Sequence, residues 1–385
     1  MAEPTTKHAG ADDIVDDMKS LSLGTSSHIY KNIMLVVKLG DASLVYLTRE
    51  LIQWMLTNFP KITIYLQDVF DGSKELDAKE LIADCKTRHE RLQYWSVGSI
   101  KEVHENIDLV ITLGGDGTVL FVAGLFQMKA PPIMSFALGS LGFLTTFNFE
   151  NFKKDLKTVL NGENRLNVRM RLFCKHFTRK PNSVDEETGE TVYTYEVARE
   201  YHVLNEATID RGPCPYLSDI EIYGDGTLFT EAQGDGVIIA TPTGSTAYSL
   251  SAGGSLVHPR VNAIAITPIC PNTLSFRPII LPEDMVLQIK VPVTARGTAW
   301  VCLDGKVNFE LAKGDYVIMA ASPFPIQTVE SSAAQYIHSI RRTLNWNRRM
   351  PQKSFSDILS PKNKVKYDDC QRAKLPIDVV DKIED

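Results

Sequence analysis

The chain has 385 residues, 44% of them hydrophobic and 23% charged, which is globular material long enough for two ordinary domains and excludes a single small module. Its formal charge of −6 leaves no basic footprint for a dedicated nucleic-acid or anionic-membrane binder. The six cysteines are widely separated, with no CxxC pair and no histidine at zinc-finger spacing, and read as reduced thiols.

The first 28 residues are polar and acidic and are expected to be disordered. They lack arginine and an apolar core, so neither a secretory nor a mitochondrial presequence is expected, and no run approaches the ~18 apolar residues of a membrane span. A cytoplasmic location is the expectation. A buried strand at 32–38 leads into a helix at 44–56 and a second strand at 61–66. The stretch IDLVITLGGDGTVLFVAGLF then reads as a strand over 107–113, a glycine turn, and a helix from Thr118 to Gln127. A further strand follows at 131–137. Alternation of strand and helix predicts a parallel, Rossmann-like α/β domain over 29–166, completed by 324–349, with ligands at the carboxyl ends of its strands. A second glycine turn, ALGSLGFLTTF, leaves the 131–137 strand, and an amphipathic helix ending at Gly162 follows. From about Val168 short β-branched runs without long helices predict a β-rich domain over 167–323, with an exposed hairpin loop at 178–195. Residues 350–385 form a mixed-charge tail with no identifiable chemistry.

Three stretches carry the chemistry. In GGDGT, glycines let a ligand approach bare backbone and the helix start offers free N–H groups to an anion, so phosphate is the obvious guest. Asp116 among them would repel phosphate unless a metal ion or a proton transfer gives it a purpose. Taken alone, the string reads more readily as a tight turn with Asp116 as helix N-cap. VLNEATIDRG puts Asn205 and Glu206 inside a strand-like run, where they must lie at an edge or be satisfied by something. GDGVIIATPTGSTAYSLSAGG places Asp235 before a strand. It then offers a short helix, capped by Ser245 and stopped at Gly253, whose small hydroxyl residues leave room for a flat ligand. The proline-rich TPICPNTLSFRPIILP, with Arg277, reads as a structural corner, or else as a basic contact to a ligand or partner subunit.

These four segments, in this order, resemble the motif series of the NAD kinase family, in its eukaryotic and fungal branch, over residues 30–350. The resemblance implies ATP-dependent phosphorylation of the 2'-hydroxyl of the adenosine ribose of NAD, with NAD and ATP as substrates and Mg²⁺ arriving with ATP. It also implies homo-oligomers whose NAD site borrows residues from a neighbouring subunit. By motif position Asp116 resembles the catalytic aspartate, Gly115 and Gly117 the phosphate-facing glycines, and Thr118 a nucleotide-binding neighbour. Phe143 matches a position near the ligand, Asn205 and Thr243 match adenine contacts, and Glu206 matches a contact near the ribose. Asp235, Ala247, Tyr248 and Ser251, with Thr246 beside them, match the nicotinamide-ribose side and the subunit boundary. No protein-held metal site is implied. Diacylglycerol and sphingosine kinases share GGDGT but leave the NE and GSTAYS segments unexplained; a non-catalytic NAD-binding regulator leaves Asp116 unexplained. Gly234, where alanine is common, is a modest departure from the family pattern.

Overall fold

The computed structural model describes residues 30–83, 90–139, 142–181, 183–184, 191–347 and 355–373; the acidic N-terminus lies outside them. The chain begins with strand β1 (Asn32–Val37), helix α1 (Ala42–Asn58) and β2 (Thr63–Gln67), then a short helix α2 (Ala78–Ala83), β3 (Leu92–Trp95) and α3 (Ile100–Val103). β4 (Leu109–Gly114), α4 (Asp116–Leu125), β5 (Ile133–Ala137), β6 (Phe147–Asn148), α5 (Phe152–Leu160) and β7 (Leu166–Arg169) follow. α1 starts where the Asp41 carboxylate accepts from Ser43 N at 2.9 Å, and it buries Leu44, Leu51, Met55 and their helical neighbours. α5 ends before Gly162, whose φ of +85° glycine adopts without cost.

β1 shows why strands covered on both faces read as unbroken apolar runs. Ile33, Leu35 and Val37 join a core with Leu51 and Met55 of α1, while Met34 and Val36 pack with Val119 and Val122 of α4. The strand β3 was not expected. It pairs in parallel with β2, and Trp95 donates its indole N–H to Leu35 O at 3.1 Å.

The β-rich region contains β8 (Leu172–Arg179), a small pair of β9 (Ser183–Val184) and β10 (Thr191–Val192), β11 (Tyr195–Val203), β12 (Glu206–Asp210), β13 (Ser218–Gly224) and β14 (Thr227–Gly234). β15 (Gly236–Ala240) leads through a 3-10 turn and helix α6 (Tyr248–Ser251) to β16 (Ala263–Ile269), β17 (Ile279–Pro282), β18 (Leu287–Lys290), β19 (Ala299–Leu303), β20 (Val307–Leu311) and β21 (Tyr316–Ala321). Two antiparallel sheets result, ordered β11-β8-β21-β18-β13-β14 and β17-β16-β15-β12-β19-β20. Their inner residues, among them Leu172, Ile289 and Val317 from one and Ile209, Ile239 and Ile264 from the other, share one core. The chain then returns to the first sheet: β22 (Ile326–Val329) pairs parallel to β5 and antiparallel to β7, giving the order β3-β2-β1-β4-β5-β22-β7, with β6 beside β5. Helix α7 (Gln335–Thr343) follows.

Arg171, fully buried, ties the β-rich part to the end of α4. Its guanidinium donates to Phe126 O at 2.7 Å, Gln127 O at 3.3 Å, Met128 O at 2.6 Å and Phe324 O at 2.6 Å. These include the carbonyls a helix C-terminus leaves without partners. Residues from Leu344 onward form a separate compact unit, in which helix α8 (Pro361–Ala373) presents exposed side chains over 361–370.

Candidate active site

From β1 the chain runs outward through β2 and β3 on one side and then returns to place β4 and β5 on the other, and such a switch point opens a crevice at the strands' carboxyl ends. A cavity of about 350 Å³ lies there, lined by Lys38, Leu39, Gln67, Gly115, Gly117 and Phe121 among others. The glycines of GGDGT have distinct duties. A Cβ on Gly114 would stand 2.3 Å from Thr118 Oγ1, so this glycine lets buried Thr118 fold back on the strand end. A Cβ on Gly115 or Gly117 would meet nothing within 4 Å; their bare faces look into open space.

Asp116 does not cap α4. Gly115 holds the cap position and Asp116 is the first helical residue, its carboxylate turned to the Phe143–Thr145 turn. Oδ1 accepts from Leu144 N at 3.1 Å, Thr145 N at 3.0 Å and Thr145 Oγ1 at 2.9 Å, whereas among the described residues Oδ2 accepts from Phe143 N alone, at 2.9 Å. Gly142 is required for this: its Cβ would fall 2.1 Å from Oδ1. Phe143 is thus brought to Asp116 through its own amide.

Asn205 and Glu206 stand at the break between β11 and β12. Asn205 is 8% exposed, and Asn205 Oδ1 and Glu206 Oε2 are buried with no hydrogen-bond partner among the described residues. Beneath them Asp304, 6% exposed, accepts the N–H groups of Leu204 at 2.8 Å, Asn205 at 2.7 Å and Glu206 at 3.2 Å. Burial pushes the Glu206 carboxyl up to about 8, and the neighbouring Asp304 adds to the shift. Burial raises Asp304 as well, but its three amide donors favour the carboxylate, so Glu206 is the member that holds a proton at neutral pH.

The segment 241–246 closes on the same place. Thr241 donates its amide to Asn205 O at 2.8 Å and its hydroxyl to Leu204 O at 2.6 Å, and a Cβ on Gly244 would strike Asn205 O at 2.1 Å. Ser245 is not a helix cap, contrary to the sequence expectation. It is fully buried, donating to Pro242 O at 2.7 Å and accepting from Val257 N at 2.9 Å, because a 3-10 turn over Gly244–Thr246 intervenes before α6. Thr243 accepts from the Arg169 guanidinium at 3.3 Å. Arg169 is fully buried, and desolvation draws it down to about 10 while Asp116 and Glu330 oppose that, so it stays a cation beside the site.

Asp235, Ala247, Tyr248 and Ser251 are placed differently. Asp235 accepts from Arg211 Nε at 2.8 Å, Tyr248 is 44% exposed, and Ser251 is exposed. No hydrogen bond among the described residues joins them to Asp116. Thr246, beside them, is half-buried and donates to Thr243 O at 3.1 Å.

Sequence reading missed Arg169, Asp304 and Lys306. The turn Asp304-Gly305, with φ of +48° and +66°, joins β19 to β20 and carries Lys306 to α4. There its ammonium lies 3.4 Å from Gly117 O and 5.2 Å from the centroid of the Phe121 ring. An aspartate-glycine pair between strands signals a hairpin, and that reading hides the chemistry of its neighbours. Arg169 and Arg171 in VRMR carried the same signal as Asn205 and Glu206: charged groups in a strand-like run.

The family model described as the ATP-NAD kinase N-terminal domain matches residues 33–164, and that of the C-terminal domain matches residues 204–331. Over 337 residues, 88% of this chain, the sequence is 55% identical to a Saccharomyces cerevisiae protein named NAD(+) kinase and 53% identical to the ATP-NADH kinase YEF1 of the same yeast. The matched segments are 64% and 68% of those proteins, so the chain spans about two thirds of the length of these curated relatives. The crystal structure of yeast NADH kinase complexed with NADH superposes with a TM-score of 0.70 and 30% identity, over 86% of this chain and 94% of that one. The chain belongs to the ATP-NAD kinase family.

Proposed function

We propose that this chain transfers the γ-phosphoryl group of ATP to the 2'-hydroxyl of the adenosine ribose of NAD, giving NADP. The observation that carries this reading is the pair of buried polar atoms Asn205 Oδ1 and Glu206 Oε2, without partners among the described residues, next to Asp304 in the turn whose Lys306 touches GGDGT. A buried polar atom without a partner is costly, and an adenosine with its base and ribose hydroxyls supplies donors there.

Asp116 is the general base. Its Oδ1 already accepts three hydrogen bonds and Oδ2 one, so Oδ2 has the capacity to take the ribose proton. The open faces of Gly115 and Gly117, with Thr118 behind them, admit the donor's phosphates. Phe143 flanks the base, Asn205 and Thr243 face the adenine, and Glu206 faces the ribose. Asp235, Thr246, Ala247, Tyr248 and Ser251 receive the nicotinamide half, partly across a boundary between copies of the chain in a homo-oligomer. Mg²⁺ comes with ATP and neutralises phosphate charge: among the described residues no group of three His, Cys, Asp or Glu side chains could hold a metal, whereas Mg²⁺ commonly binds through substrate phosphates and one or two carboxylates. The α/β domain carries the donor side and the β-rich domain the NAD side, and the enzyme works in the cytoplasm. No helix among the described residues is long and apolar enough to cross a membrane.

The test is NADP formation from NAD, ATP and Mg²⁺ by the purified chain and by its Asp116→Asn variant. The wild type is expected to form NADP. The variant, folded by thermal melting, should lose at least about 10²-fold in kcat. No NADP from the wild type sinks the reading; near-normal turnover in the variant sinks the role of Asp116.

A further inference from the structure

The donor side holds a cation that belongs to neither the glycine turn nor the helix it starts. Lys306 reaches from the β19–β20 turn of the β-rich part to Gly117 and Phe121, both of which line the 350 Å³ crevice at the switch point. Across the crevice mouth stands Lys38, exposed at the end of β1. The contact of Lys306 with Gly117 is long, 3.4 Å, and engages one of the three hydrogens an ammonium carries. Its side chain is exposed, while the turn beneath it is held by Asp304, which three backbone amides anchor. A cation on an anchored turn, beside a crevice floored by two bare glycine faces, is suited to a polyanion.

We propose that Lys306 is a catalytic residue for the phosphoryl donor: a nucleoside triphosphate lies in the crevice, its base against Leu39 and Phe121, and Lys306 moves from Gly117 O to the β- and γ-phosphate oxygens. This rests on the kinase reading above. In the transfer the ribose 2'-oxygen forms a bond to the γ-phosphorus while its proton passes to Asp116 Oδ2. The bond from the γ-phosphorus to the bridging oxygen breaks, and its electron pair leaves on the β-phosphate of ADP. Lys306 exchanges no proton in this step. It neutralises charge that grows on the bridging and terminal oxygens, where fixed or pre-positioned cations have their largest effect on rate.

The experiment is steady-state kinetics of the full chain with Mg-ATP and NAD, for wild type, Lys306→Met and Lys306→Arg, beside calorimetric binding of NAD without ATP. Lys306→Met should lower kcat/KM for ATP by on the order of 10²-fold, leave NAD affinity unchanged, and be rescued in large part by arginine. Lys306→Gln serves in its place where the methionine variant does not fold. Unaltered kcat/KM for ATP overturns the proposal. So does an equal loss of NAD affinity, which would make Lys306 a brace of the Asp304 turn. Absence of NADP from the wild type defeats the kinase reading instead, and Mg-ATP binding to wild type and Lys306→Met still decides the lysine: equal affinities overturn its role and weaker binding by the variant upholds it.

Discussion

Two carboxylates of the proposed site are set apart by what they accept. Asp116 takes four hydrogen bonds from the Phe143–Thr145 turn, whereas Glu206 leaves Oε2 without a partner. Burial raises Glu206 to about 8 from the 4.5 it has when unfolded. A carboxyl whose folded value is raised contributes stability that is full below about 4.5 and lost as pH rises through about 8. Glu206→Gln, which keeps the shape and cannot ionise, should therefore gain stability relative to the wild type as pH rises across that window. Urea unfolding of both proteins at several pH values checks it, and parallel curves would remove the buried proton from Glu206. At this scale the motif residues were legible because glycine, aspartate and asparagine are conspicuous in apolar runs. Their partners were not. Asp304 acts through amides a hundred residues away, and Gly142 is needed only because Asp116 turns toward it, which no local spacing reveals.

Helix α4 is the element on which the site turns, and it is held at both ends. Asp116 fixes its start to the 142–145 turn, and Arg171 collects the carbonyls at its finish, where a cation also favours the helix dipole. Replacing Arg171 by methionine takes its donors from the buried Phe126 O and from the part-buried carbonyls of Gln127, Met128 and Phe324. Hydrogen bonds to charged groups contribute roughly 1.5–3 kcal/mol each, so a loss of at least about 2 kcal/mol is expected by urea denaturation. A loss under about 0.5 kcal/mol, usual for surface substitutions, would mean water replaces the guanidinium. The parallel strands β1, β4 and β5 were readable since both faces are buried and nearly every residue is apolar, Asn32, Thr112 and Ser135 being the polar ones. β3 was missed because its four residues, LQYW, include an exposed glutamine and give no period. The run VRMRLFCKHF reads as one strand, yet it divides between two sheets at Met170. Hydrophobic period tells which residues are buried but not against which layer.

At the scale of the molecule the two halves of the proposed NAD site differ in completeness. Asn205, proposed for the adenosine side, is buried; Asp235 and Tyr248 stand on a more open surface, with Asp235 paired to Arg211. Nicotinamide contacts are remote from the reacting hydroxyl and should act through binding. Asp235→Ala is expected to raise KM for NAD while leaving KM for ATP and kcat close to wild type. Equal effects on both substrates would displace Asp235 from the nicotinamide side. The return of β22 to the first sheet also bears on how the protein is made. β5 obtains its neighbour β22 only after the whole β-rich part has been synthesised. At ~5–20 residues per second, the roughly 160 residues between Arg169 and Ile326 take on the order of 10–30 s. Throughout that interval the start of β5, where β22 will pair, lacks its neighbour, leaving part of the edge of a mostly apolar strand as a template for mispairing. Ribosome-bound chains halted before Ile326 are therefore expected to mispair more readily than chains that have supplied β22.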